Sequence, residues 1–132
     1  MPQKFLKKII AQTPEDLRII SALCSESLIN QIDIKYLKEN KVFLLPLTRK
    51  LREIESSNEK IQSIIKFDYI ENSKSKNINH KKSKKILKLL TINLFKKKNN
   101  FEISLLFSDN AVIILETEIV EVTLEDIKQL ND

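Results

Sequence analysis

Glycine and tryptophan are absent from the 132 residues, and cysteine, histidine and methionine occur once each. Each shortage removes a class of chemistry. Without glycine the chain cannot build a P-loop, a G-x-G-x-x-G turn or a glycine-flanked nucleophile elbow. A lone Cys24 forms no internal disulfide, and one cysteine with one histidine, His80, makes no zinc site. No cofactor and no metal are therefore implied. No apolar run approaches the roughly 20 residues that span a bilayer, so no membrane role is expected. Residues 1–12 carry lysines on both sides of short apolar patches and lack the apolar core of a signal peptide. The eleven asparagines form no Asn-x-Ser/Thr acceptor site. The expected location is cytoplasmic.

What is present is ordinary in amount and unusual in kind. Hydrophobic residues make up 42% and charged residues 31%, a balance typical of a globular protein. The length suits a single domain, 1–132, burying roughly two-thirds of its unfolded surface. Isoleucine (20), lysine (20) and asparagine (11) are heavily used, and lysine outnumbers arginine 20 to 3. Such a bias is what an A/T-rich genome produces. Selected phosphate sites tend to include arginine's bidentate fork, so a pI of 9.3 is a weak argument for nucleic acid.

Hydrophobic period divides the chain. Residues 4–11 read as a strand. Thr13 as N-cap, Pro14 at the first helical position and Asp16 three residues after the cap open a helix. Leu17, Ile20, Leu23 or Cys24, and Leu28 give it one apolar face through about residue 28. Ile32, Ile34 and Tyr36 then alternate, residues 38–40 turn with asparagine supplying the left-handed conformation, and Phe43 and Leu45 resume the alternation. Pro46 suggests a bend or an edge strand. Residues 50–60 read as a polar connector and Ile65, Phe67 and Tyr69 as another strand. Residues 72–85, with one apolar side chain and no acid, read as a mobile basic loop. Two hairpins follow through Leu90–Leu94, Phe101–Phe107 and Ala111–Glu116. Thr123 with Asp126, then Leu124, Ile127 and Leu130, repeats the capping pattern of a short closing helix. The expected fold is α+β: an antiparallel meander of about six to seven strands, strongly twisted or a half-barrel. It packs against one N-terminal helix, with a short C-terminal helix.

The stretch from Glu15-Asp16-Leu17 through Ile20-Ser21-Ala22, then Ile32-Asp33, Tyr36-Leu37 and Phe43, resembles the start of a bacterial family, domain of unknown function 2948. Residues 64–70, 89–95 and 112–127 match that family's later strands in order and spacing, so the likeness covers nearly the whole chain. It implies a stand-alone cytosolic bacterial protein and transfers no functional residue, since the family has no assigned activity.

No side-chain constellation points to an enzyme. His80 sits among Asn79, Lys81 and Lys82 without a carboxylate to orient it. Cys24 falls on or beside the apolar helix face, where a free cysteine acts as a small hydrophobe. Glu116, Glu118 and Glu121 could serve as paired acids, but they also fit a charged outer face that discourages aggregation. The charge distribution has more shape. Residues 1–71 carry +2, residues 72–98 carry +10 without one acid, and residues 99–132 carry −7. Lys81, Lys82, Lys84, Lys85, Lys96, Lys97 and Lys98 would track phosphate or meet an acidic partner if they cluster at one end of the sheet. The loop has no aromatic to stack a base and no arginine. The favoured reading is a non-catalytic protein-interaction module, contacting a partner or a second copy of itself through an edge strand or the helix flank. The alternative is a nucleic-acid-binding protein using the lysine-rich loop, and the third is an enzyme with an unrecognised carboxylate site.

Overall fold

A computed structural model describes residues 6–54, 58–78 and 85–130. Its elements are β1 (Lys8–Ala11), α1 (Pro14–Cys24), β2 (Leu28–Asn30), a 3-10 turn (Gln31–Asp33), β3 (Lys35–Leu37) and β4 (Val42–Lys50). They continue with β5 (Lys60–Phe67), β6 (Ile70–Lys76), β7 (Ile86–Lys96), β8 (Phe101–Phe107), β9 (Val112–Thr117) and β10 (Val122–Leu130). The strands form one antiparallel ladder in the order β1-β10-β5-β4-β2-β7-β8-β9-β6, with β3 also paired to β4. The ladder does not close: β1 and β6 are its two ends.

The helix starts as its sequence requires. Thr13 Oγ1 accepts from the Asp16 N–H at 3.2 Å, with Pro14 at the first turn. Leu17, Ile20 and Cys24 are buried on one face. That face lies chiefly on β7, and Ser21 Oγ accepts from the Ile92 N–H at 3.0 Å, beside a register shift in the β7–β8 ladder. The core therefore sits between α1 and the inward face of the sheet, where Leu45, Ile65, Phe67, Leu87, Leu89 and Leu105 are fully or almost fully buried.

Six expectations require correction. The helix ends at Cys24 rather than near residue 28. Ser25 and Ser27 are weak helix formers, and Glu26 turns the chain with a left-handed φ of 66°. Glu26 N–H donates to Leu89 O at 2.7 Å, and Leu89 N–H donates back to Ser27 O at 2.9 Å. Left-handed φ in the β3–β4 turn falls on Lys41 (58°), not on asparagine, although Asn77 (62°) and Asn110 (60°) do take that role elsewhere. Pro46 lies in an interior strand. Its missing N–H is tolerated because β3 pairs with Val42–Leu44 and β2 with Thr48, leaving position 46 opposite the gap between them.

The closing helix is instead β10, inserted between β1 and β5. The Thr123-to-Asp126 spacing imitates a cap, but Val122, Leu124 and Asp126 are buried at period 2, and pairing on both sides outweighs the local signal. The described residues form ten strands rather than six or seven, since β2 is a three-residue piece and β6 and β10 take the place of expected loop and helix. Residues 72–76 of the expected loop belong to β6, paired with β9, and residues 79–84 lie outside the described residues.

Candidate functional site

Alternation along β7 sends Leu87 and Leu89 inward and Ile86, Lys88 and Leu90 outward. On β2 the same alternation turns Leu28 outward, between Lys88 of β7 and Thr48 of β4. Strand β4 adds Pro46 and Lys50 to this outer face, and β5 adds Lys60 and Gln62. Leu28, Ile86 and Leu90 are 42%, 52% and 48% exposed, so three large apolar side chains stand in water on adjoining strands.

Two concavities open on this face, and Leu28 lines both. The smaller, ≈ 140 Å³, is bounded by Glu26, Thr48, Lys50, Lys60 and Lys88. The larger, ≈ 290 Å³, is bounded by Asn30, Asp33, Pro46, Gln62 and Ile86. Lys50 and Lys60 are direct cross-strand partners in the β4–β5 register, an arrangement that destabilises a sheet through like-charge repulsion. Among the described residues neither they nor Lys88 engages in an ion pair, and the one acid at the smaller concavity, Glu26, is held by Arg52 at 3.3 Å.

The opposite face of the same strands carries a buried ion cluster. Arg49 is fully buried, and its guanidinium makes a bidentate pair with Asp126, Nε to Oδ1 at 3.0 Å and Nη2 to Oδ2 at 2.7 Å. A second fork reaches Glu53 at 3.0 and 2.9 Å. Ser63 Oγ donates to Asp126 Oδ1 at 2.6 Å, and the Lys7 backbone N–H donates to Oδ2 at 2.9 Å. Burial opposes the charge on Asp126, but the hydrogen bonds from Arg49, Ser63 and Lys7 outweigh it and hold the carboxyl below its usual range. Burial likewise opposes the charge on Glu53, and hydrogen bonds, chiefly from Arg49, again win. Cys24 lies close enough to feel these charges. Desolvation dominates there and pushes its thiol up to about 12, with Arg49 pulling the other way. A protonated, buried thiol is no nucleophile. The cluster is saturated by its own members and ties β4, β5, β10 and the chain before β1 into one unit.

The model of the family described as Protein of unknown function (DUF2948) matches residues 7–131. The chain belongs to that family. Searches of curated proteins and of solved structures give no match. The match spans β1 through β10, so a DUF2948 member carries both the outer face and the ion cluster within its family region.

The lysines singled out in the sequence do not all gather. Lys85 precedes β7, Lys96 ends it and Lys97 and Lys98 follow, about 35 Å away at ~3.3 Å per residue along a strand. Lys85 pairs with Asp109 at 3.6 Å and Lys97 with Glu102 at 3.6 Å. Lys81, Lys82, Lys84 and His80 lie outside the described residues. The three glutamates do not converge on one another. Glu116 faces Lys74 at 3.9 Å, Glu118 follows the end of β9, and Glu121 accepts from Gln12 Nε2 at 3.0 Å. Among the described residues no three His, Cys, Asp or Glu side chains are grouped as metal ligands would be. Sequence reasoning missed Lys50, Lys60 and Arg49. The available signal was the strict alternation of residues 42–50, which places Arg49 in the row of Phe43, Leu45 and Leu47 and Lys50 in the opposite one.

Proposed function

We propose that this DUF2948 protein is a non-catalytic binding module whose contact surface is the outer face of β5, β4, β2 and β7, and that its partner is an acidic protein segment. The observation that supports this reading is the half-exposed row Leu28, Ile86 and Leu90 beside Lys50, Lys60 and Lys88. Apolar side chains supply the contact and unneutralised lysines select the sign of the partner. Strand β6, an edge of the sheet among the described residues, is a poorer contact. It carries Lys74 and Lys76, and charged edges resist strand addition.

The test is capture at near-physiological salt with the tagged chain and with a Leu28→Glu/Ile86→Glu variant, both shown to be folded by circular dichroism. The reading expects a partner retained by the parent chain and lost by the variant, which then binds directly, as a separate protein, through an acidic segment. Equal recovery by both chains overturns it.

Nucleic-acid binding is a second reading, supported by Phe95. This ring is half exposed next to Lys96, Lys97 and Lys98, which places an aromatic beside the cations. Fluorescence anisotropy with labelled RNA and DNA at two salt concentrations tests it. Binding that survives physiological salt and is lost in Phe95→Ala would replace the protein-partner reading.

A further inference from the structure

The smaller concavity has a feature that contact with an acidic segment does not require. Lys50 and Lys60 face each other across the ladder, and Lys88 closes the third side from β7. Thr48 contributes a hydroxyl to the same hollow, and its register partner Leu28 forms an apolar wall. Cross-strand partners stand roughly 5 Å apart at Cβ, so two ammonium groups on flexible stems can close on one small anion between them. The acid at the rim does not relieve the repulsion, because Glu26 is turned to Arg52. Three cations around a hollow on one side of a sheet, left without a protein counter-charge among the described residues, store unfavourable energy that a bound anion would release.

We infer that the Thr48–Lys50–Lys60–Lys88 concavity is an oxyanion site that takes a tetrahedral phosphate group, either free phosphate or a phosphate monoester. A monoester would direct its organic substituent toward Leu28, the apolar wall shared with the larger concavity. Lysine supplies point charges rather than forks, which suits a small dianion whose oxygens can be met from three directions. The inference concerns the proposed contact face but does not rest on the protein partner: the site stands or falls with phosphate alone.

The test titrates the full-length, 15N-labelled chain with inorganic phosphate against sodium chloride of matched ionic strength, following the amides of Thr48, Lys50, Lys60 and Lys88. A saturable shift confined to this group is expected, weakened at least tenfold in Lys60→Gln and unchanged in Lys97→Gln. Lys60→Gln should also melt at or above the parent's temperature in phosphate-free buffer, because it removes the repulsion, and should lose most of the stabilisation that phosphate gives the parent. Phenyl phosphate in place of inorganic phosphate identifies the source: tighter binding assigns the site to monoesters, and equal or weaker binding assigns it to the free ion. Shifts that match the chloride control, that spread equally over Lys96–Lys98, or that persist in Lys60→Gln overturn the inference. Capture of a protein partner depends on Leu28 and Ile86, so either proposal can fail without the other.

Discussion

Replacing Asp126 by alanine removes the anion that neutralises a fully buried guanidinium. Arg49 then keeps Glu53 on its outer fork but loses both hydrogen bonds on the inner one, and Ser63 loses its acceptor. Breaking a buried pair from one side costs about 3–5 kcal/mol, because the surviving charge stays desolvated. That is a large share of the roughly 5–15 kcal/mol that holds a small domain folded. At an urea m-value of about 1.5 kcal/mol/M, the midpoint should fall by about 2–3 M. The double replacement Arg49→Met/Asp126→Leu should cost less than Asp126→Ala alone: Ser63 Oγ and the Lys7 N–H lose their acceptor in both, but the apolar pair leaves no uncompensated buried charge and Glu53 can turn to solvent and Lys7. Acidity offers a second readout. Asp126 and Glu53 both have folded-state values below their ordinary ones. Their stabilisation is therefore complete above the unfolded carboxylate range near pH 4 and is lost as pH falls through the depressed folded values. Urea denaturation from pH 7 down to pH 2 should show the parent losing stability below about pH 4, and Asp126→Asn losing less over the same interval. An Asp126→Ala cost under about 1 kcal/mol, or an unchanged acid slope in Asp126→Asn, would refute the view that the clasp is both desolvated and charged.

Lys41→Gly should raise stability by about 0.5–1 kcal/mol in denaturant titration, because Lys41 holds φ at 58° where a side chain is costly. Cys24 should resist thiol reagents in the folded protein at pH 8. With its thiol near 12 only about one molecule in ten thousand is thiolate, so labelling should follow the unfolding rate rather than reagent concentration. Ser63→Ala should cost about 1.5–3 kcal/mol in thermal melts, the range for a hydrogen bond to an ionised group. In hydrogen exchange, the amides of Val122–Asp126 should be among the slowest, since β10 is paired on both sides, while β6, paired on one side only among the described residues, exchanges faster.

The elements legible in the sequence were those whose local signals and tertiary placement agree. Thr13, Pro14 and the Leu17–Ile20–Cys24 spacing specify α1 without help from the sheet, and the alternation of residues 101–107 does the same for β8. Misreadings arose where the two conflict. Thr123 and Asp126 stand at cap spacing, yet Asp126 faces inward to meet Arg49, a partner 77 residues away that no local pattern displays. The outer face was hidden for a related reason: Lys50, Lys60 and Lys88 are scattered through three segments, and the β4–β5, β2–β4 and β2–β7 registers bring them together. A charge run such as Lys96–Lys98 stands out in a sequence and is then held a strand's length away from Lys85, whereas isolated lysines become neighbours.

The pairing of β1 with β10 has a consequence for synthesis. Among the described residues the first strand pairs with no other strand, and β5 keeps one side open until β10 arrives. During translation, β4 and β5 can form their hairpin early, and the helix can settle on β7 once residue 96 has emerged. Strand β1 must wait for residues 122–130, more than a hundred residues later in the sequence. One half of the sheet is thus completed only after residues 122–130 have been made. Until then the chain exposes an apolar strand edge, and the slow step of folding should be the closure of this longest of its loops.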